Sequence, residues 1–312
     1  MKSLLIASLI SIGSLVHGSS IEFLLFSNDS DSIYRTSLPL GTLELIGPVA
    51  RGGDVVELIE ADSVRLYAFE RISNSIFVFD RFDGSLLASA ALDEDLFSTR
   101  RGFDLSPEGI LYGVLPGMQL RTVNPSTGVT NFIANITGAA RVEAIAFASD
   151  GTLFASGSIA DNSTSETLFT LSPNTGELTP IGLMGGSGTD IDDLTFGPDG
   201  YLYGVNSVNG QNARLLRIDP ANASVTDMGL TGVTGVTGIV AIRKLPELAI
   251  SSTGGSVILR WPSTALGFSV QRTETLRDDD WSPLTITPTL NGEEYVLSVA
   301  SQRPREFFRL SR

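Results

Sequence analysis

Short apolar runs recur along the chain, and segments rich in Gly, Pro, Asn, Asp and Ser separate them. Between residues 103 and 229 these runs form three successive copies of one unit, which contain FDLSPEGILYGV, AIAFASDGTLFAS and DLTFGPDGYLYGV. Each copy has four apolar runs, with Glu-Gly or Asp-Gly between the first two and a proline turn after the third. Runs of this kind predict β-strands, and self-similarity at a fixed period predicts a repeat architecture.

The two ends of the repeat region complement each other. A less regular copy spans 55–92, whereas 21–49 supplies only three strands, starting at the second-strand position. The last copy is followed by TGIVAI (237–242), which has the character of a first strand. We expect TGIVAI to pair with IEFLLFS (21–27), because closure by both chain ends removes exposed sheet edges. The pattern predicts an all-β fold with a five-bladed β-propeller over 19–243, closed by three strands plus one.

The pattern changes after Arg243. Pro246 marks a predicted linker over 244–254, and 255–312 contains new runs such as SVILRW and EYVLSVA, in which apolar and polar residues alternate. This alternation predicts a small antiparallel β-sandwich. We expect Trp261 and Trp281 to be its core aromatic residues.

The first residues have the layout of a secretory signal peptide. Lys2 precedes an apolar run from Leu4 to Val16, and small residues follow at 18–20. We predict a signal peptide over 1–18 and a secreted protein, extracellular or periplasmic. No second long apolar segment follows, so we expect no membrane span. We also expect the protein to be a monomer.

The composition of the chain excludes several kinds of catalytic and metal-binding site. The chain has no cysteine, and its single histidine, His17, lies in the predicted signal peptide. A Ser-His-Asp or Cys-His nucleophile system is therefore excluded from the secreted part, as are metal sites built on imidazole or thiolate. The net charge of −14 argues against nucleic acid or an anionic membrane as a partner.

The densest acidic cluster is the sequence DIDD, just before an inner strand. Aligning the copies on their turn glycines makes Arg101, Glu143 and Asp192 equivalent, so these side chains should lie at one mouth of the propeller channel. The candidate ligand-binding residues are Arg101, Arg141, Glu143, Asp192 and Asp193. The candidate metal ligands are Asp190, Asp192 and Asp193, with calcium as the cation because it prefers oxygen ligands. The alternative is that these acids are solvated loop residues, with no cofactor bound.

Two resemblances follow from these motifs. The units with Asp-Gly before L-Y-G and a later proline turn resemble propeller repeats of secreted bacterial proteins, which implies a fold but no catalytic residues. The tail, with Trp261, Gly267-Phe268, Gln271, Trp281 and Phe307-Phe308, is similar to a C-terminal β-domain of secreted planctomycete and verrucomicrobial proteins. That resemblance implies an accessory module without an activity of its own.

The function hypotheses belong to different classes. We expect a secreted, non-catalytic propeller that binds a polysaccharide, a surface protein or a small polar ligand. The alternative is a calcium-dependent hydrolase or lactonase that uses carboxylates at the channel mouth. A third hypothesis is a structural spacer in an extracellular matrix. The sequence does not distinguish this hypothesis from that of a binding protein.

Overall fold

The computed structural model shows an all-β protein with two compact units, Met1–Arg243 and Lys244–Arg312. It describes residues 21–49, 55–93, 102–160, 166–185, 190–207, 211–242, 246–263, 268–275, 277, 280–300 and 305–311. The predicted signal peptide lies outside these residues. Within them, no helix has the length and hydropathy needed to cross a bilayer.

The described part of the first unit contains five four-stranded antiparallel sheets. Their strands are β1 (Glu22–Ser27), β2 (Ser32–Ser37) and β3 (Leu43–Pro48); β4 (Val55–Glu60), β5 (Arg65–Glu70), β6 (Ser75–Asp80) and β7 (Leu86–Ala91); β8 (Phe103–Leu105), β9 (Leu111–Leu115), β10 (Gln119–Val123) and β11 (Thr130–Asn135); β12 (Arg141–Phe147), β13 (Leu153–Ser158), β14 (Thr167–Leu171) and β15 (Leu178–Leu183); and β16 (Asp193–Phe196), β17 (Leu202–Asn206), β18 (Asn212–Ile218) and β19 (Val225–Thr234), with β20 (Val236–Ile242) joining the first sheet.

The strand from the end of the unit completes the first sheet, as the sequence predicted. Strand β20 pairs antiparallel with β1, with Leu24 opposite Val240 and Leu25 opposite Ile239. The order in this sheet is β20-β1-β2-β3, whereas in the other four the strands pair in chain order. The turn glycines of the repeats, Gly109, Gly151 and Gly200, all have positive φ, which glycine adopts without steric cost.

Five buried hydrophobic clusters hold these sheets together. Each cluster takes residues from two sheets: the first and second, second and third, third and fourth, fourth and fifth, and finally the fifth and first. The first strands of the sheets, β20, β4, β8, β12 and β16, contact one another in the same cyclic order. We call these the inner strands. Sheets that pack face to face in a closed circuit are the arrangement of a β-propeller.

Polar side chains connect consecutive inner strands, which share no backbone ladder. Asp193 Oδ2 accepts a hydrogen bond from Ile239 N at 2.7 Å, and Asp104 Oδ2 accepts one from Phe147 N at 2.6 Å. The Thr237 hydroxyl donates to Val55 O at 2.7 Å. These bonds satisfy backbone groups that would otherwise be buried without a partner.

The second unit contains two antiparallel sheets within its described residues. The four-stranded sheet has the order β21-β22-β26-β25 and the three-stranded sheet the order β24-β23-β27. Their strands are β21 (Ala249–Thr253), β22 (Ser256–Pro262), β23 (Ser269–Thr273), β24 (Ser282–Pro283), β25 (Thr289–Asn291), β26 (Glu294–Ala300) and β27 (Phe307–Ser311). One hydrophobic cluster includes residues of both sheets, among them Trp261 and Val270.

Two predictions for the second unit need correction. Strand β21 lies inside the predicted linker 244–254, because Ala249–Thr253 pairs along its full length with β22. Trp261 is buried as expected, but Trp281 is only half-buried and lies outside the core cluster. The Arg309 guanidinium lies over the Trp281 ring, 4.3 Å from its centroid, so this indole packs against a cation instead.

Candidate functional site

The predicted ligand-binding residues that the structure describes are found where β12 and β16 begin. Arg141 is the first residue of β12, Asp192 comes directly before β16, and Asp190 precedes Asp192 by two residues. Glu143 stands at a β-bulge, because Val142 pairs with Gly157 and Ala144 with Ser156, leaving Glu143 unpaired in the ladder. A bulge redirects the side chain of its extra residue. Arg101 lies outside the described residues.

Three carboxylates meet at this end of the fourth sheet. Glu143, Glu166 and Asp190 each place one carboxylate oxygen within 4.8 Å of the others. They come from three separate segments: the bulge in β12, the residue before β14, and the segment before β16. Glu143 and Glu166 are buried, whereas Asp190 is partly exposed. We call this group the Glu143–Glu166–Asp190 cluster.

Glu166 is the most unusual member of the cluster. Its side chain is 1% exposed, and its Oε2 accepts a hydrogen bond from Ile191 N at 3.1 Å. Its Oε1 is buried and has no hydrogen-bond partner in the described part of the chain. Burial raises the pKa of Glu166 to about 8; the Ile191 amide opposes this rise, and the negative charges of Glu143 and Asp190 add to it.

A positively charged side chain, Arg141, stands beside the cluster. The Arg141 guanidinium forms an ion pair with the Glu143 carboxylate, and its Nη2 donates to Ser158 Oγ at 3.3 Å. The Arg141 side chain is 39% exposed, whereas that of Glu143 is 3% exposed. The cluster is therefore buried on one side and bordered by a solvent-accessible guanidinium on the other.

The structure does not bring the three predicted metal ligands together. Asp192 Oδ2 accepts a hydrogen bond from Ser207 N at 2.8 Å, and neither Asp192 nor Asp193 belongs to the group of carboxylates within 4.8 Å. Asp193 is buried on the inner strand β16, where Leu194 N and Ile239 N each donate to one of its oxygens at 2.7 Å. Residues adjacent in sequence point in different directions where a strand begins, so proximity in sequence did not give proximity in space.

Asp193 belongs to a second group of acids, on the inner strands. Glu57 is fully buried on β4, and its carboxyl oxygens make no hydrogen bond of normal geometry to a described residue. Burial raises the pKa of Glu57, and the neighbouring Asp193 raises it further. Burial also raises the pKa of Asp104 on β8, to about 7, against the opposing effect of its two backbone hydrogen bonds.

Sequence reasoning missed Glu166, although the repeats contain a signal for it. The pairing registers make Thr167 equivalent to Gln119 and Arg214 in the neighbouring copies. Glu166 therefore stands where those copies have Met118 and Ala213. Glu166 is thus a carboxylate at a position that is apolar in both sister repeats, and this difference is visible in the sequence once the repeats are aligned.

Neither a protein-family model nor a curated protein sequence matches this chain. Among solved structures, it is similar to a protein of unknown function from Bacteroides caccae, with a TM-score of 0.46 and 10% identity over 72% of this chain and 100% of that one. It is also similar to virginiamycin B lyase from Staphylococcus aureus, with a TM-score of 0.38 and 14% identity over 89% of this chain and 91% of that one.

A third similar structure is the PQQ-bound aldose sugar dehydrogenase from Streptomyces coelicolor, with a TM-score of 0.40 and 13% identity over 92% of this chain and 91% of that one. The similar structures thus include enzymes as well as a protein of unknown function. At these identities and TM-scores they assign no activity to this chain.

Proposed function

We propose that this chain is a secreted, non-catalytic binding protein whose propeller holds a polysaccharide at the Glu143–Glu166–Asp190 cluster. The scaffold would be a five-bladed β-propeller over 19–243, released from a signal peptide at 1–18 and followed by a small antiparallel β-sandwich. The cyclic succession of five interfacial hydrophobic clusters supports the blade count. The hydrophobic cluster that draws on both sheets of the second unit supports the sandwich.

The observation that carries the binding proposal is the position of Arg141. Its half-exposed guanidinium lies beside buried carboxylates, so donors and acceptors of opposite charge are available at one surface position. Sugar hydroxyls both donate and accept hydrogen bonds, and charged partners strengthen such bonds. Outside the predicted signal peptide the sequence offers neither histidine nor cysteine, which supports binding without covalent catalysis.

Residues 19–312 and an Arg141→Ala variant should be compared on a panel of immobilised neutral and acidic polysaccharides. We expect the wild-type chain to retain at least one polymer and the variant to bind it roughly tenfold more weakly, because a charge-assisted hydrogen bond contributes about 1.5–3 kcal/mol. The matched control is Arg65→Ala, which removes an exposed arginine paired with Asp62.

Equal binding by both arginine variants and the wild-type chain would reject the proposed site. Turnover of a polysaccharide or a sugar lactone by the wild-type chain would reject the non-catalytic assignment. Retention of no polymer would reject the proposed ligand class and leave a protein partner to be sought.

A further inference from the structure

We propose that the Glu143–Glu166–Asp190 cluster binds a hard divalent cation, with calcium as the physiological ion. The inference rests on the proposed function, because it assigns a cofactor to the same site. It differs from the sequence prediction in its ligands: Glu143 and Glu166 replace Asp192 and Asp193.

The convergence of the three side chains is the first argument. Three carboxylate oxygens from separate chain segments lie within 4.8 Å of one another. Oxygen atoms that bind one calcium ion at 2.3–2.6 Å are at most about 5 Å apart, so this spacing suits a single ion. Like charges at such distances repel one another unless a cation or a proton is held among them.

The unsatisfied oxygen of Glu166 is the second and independent argument. Oε1 of this residue, whose side chain is 1% exposed, has no hydrogen-bond partner among the described residues, whereas Oε2 is fixed by Ile191 N. A buried polar atom without a partner is costly and requires an explanation, of which an ion is a standard one. A cation bound at Oε1 would satisfy it without moving Oε2 from the Ile191 amide.

The balance of charge is consistent with a divalent ion. When all three carboxylates are ionised, the cluster together with Arg141 carries two negative charges, which one calcium ion neutralises. The oxygen-only donor set excludes ions that prefer nitrogen or sulfur ligands. Calcium takes six to eight oxygens, more than three carboxylates supply with one oxygen each, so positions remain for water or for sugar hydroxyls at the partly exposed Asp190 side.

The test is calorimetric titration of residues 19–312 with calcium chloride, after treatment with EDTA and removal of the chelator. We expect one site per chain, and a Glu166→Gln variant with at least roughly tenfold weaker binding. Asp192→Asn is the matched control, because it removes a nearby acid outside the cluster, and it should bind calcium like the wild-type chain. Thermal melts in EDTA check that both variants fold.

The outcomes separate this inference from the proposed function. No calcium heat with the wild-type chain, or unchanged binding by Glu166→Gln, overturns the cation site. An equal loss in Asp192→Asn also overturns it, because the ligands would then be those that the sequence predicted. If polysaccharide retention persists in EDTA, the proposed function stands and does not require the cation. If the chain binds calcium but retains no polymer, the cation site stands and the proposed polysaccharide ligand is rejected.

Discussion

At the residue scale, the first unit is unusual in burying several carboxyl groups. Glu57, Asp104 and Asp193 lie on inner strands, and the latter two accept hydrogen bonds from the backbone of the next inner strand. In the described part of the chain none of these three carboxyls forms an ion pair with an arginine or lysine. Their burial disfavours the charged form, which is why the pKa of each is raised.

These raised pKa values predict that the stability of the first unit falls as the pH rises. The folded state retains protons that the unfolded state releases above about pH 4, so the free energy of unfolding should decrease as the pH rises from about 4 through 8. The slope is at most about 1.4 kcal/mol per pH unit for each proton retained. Urea titrations at pH 5, 7 and 8.5 measure it.

A Glu57→Gln variant should make this decrease shallower, because glutamine imitates the protonated acid at every pH. Glu44→Gln is the control, since that carboxylate is exposed and its loss should leave the slope unchanged. A wild-type chain that gains stability between pH 5 and pH 8.5 would contradict the protonated state of these acids.

At the scale of elements, two inner strands of the first unit approach so closely that one position between them requires glycine. Gly102 stands directly before β8, and a Cβ atom placed on it would lie 2.3 Å from Ile145 N of β12. Backbone atoms cannot move aside as a flexible side chain can. The approach of β8 to β12 therefore requires glycine at this position, while the hydrogen bond from Phe147 N to Asp104 fixes the same pair of strands.

We accordingly expect Gly102→Ala to destabilise the first unit by about 1–3 kcal/mol, because one added methyl group must push two inner strands apart. Gly41→Ala is the control: a Cβ atom there would meet no atom within 4 Å, and its φ is not positive. The denaturant midpoints of the two variants and the wild-type chain should be measured in parallel. Equal midpoints for the two variants would contradict the close approach of β8 to β12.

At the scale of the whole molecule, the closing strand β20 contributes to the folding of the first unit, whereas the second unit does not. Strand β20 pairs with β1 and contributes buried residues to two hydrophobic clusters. The second unit has a hydrophobic cluster of its own, whose members all come from Lys244–Arg312. Removing β20 opens the circuit of sheets, whereas removing the second unit leaves the circuit intact.

A chain ending at Arg243 should therefore unfold in one cooperative transition at nearly the temperature of the first unit in the full protein. A chain ending at Gly235 should lose that transition, since β1 then presents an unpaired edge and two clusters lose buried residues. Calorimetry of the three chains tests this. A cooperative transition in the chain ending at Gly235 would show that closure by β20 is dispensable.

The sequence by itself determined the features that depend on local patterning. Alternating apolar runs defined the strands, Glu-Gly and Asp-Gly marked turns whose glycines have positive φ, and the complementary ends predicted the pairing of β1 with β20. These features follow from backbone sterics and from the burial of one strand face, which neighbouring residues already encode.

Only the tertiary structure decided which carboxylates meet. The bulge at Glu143, the position of Glu166 before β14 and the direction of Asp190 bring three distant residues together, while Asp193 turns towards the inner strands. The sequence placed Asp190, Asp192 and Asp193 in one site because they are neighbours along the chain. Side-chain direction depends on local register shifts and on the packing of one sheet against the next, and burial, which raises the pKa of Glu166, is a property of the assembled sheets.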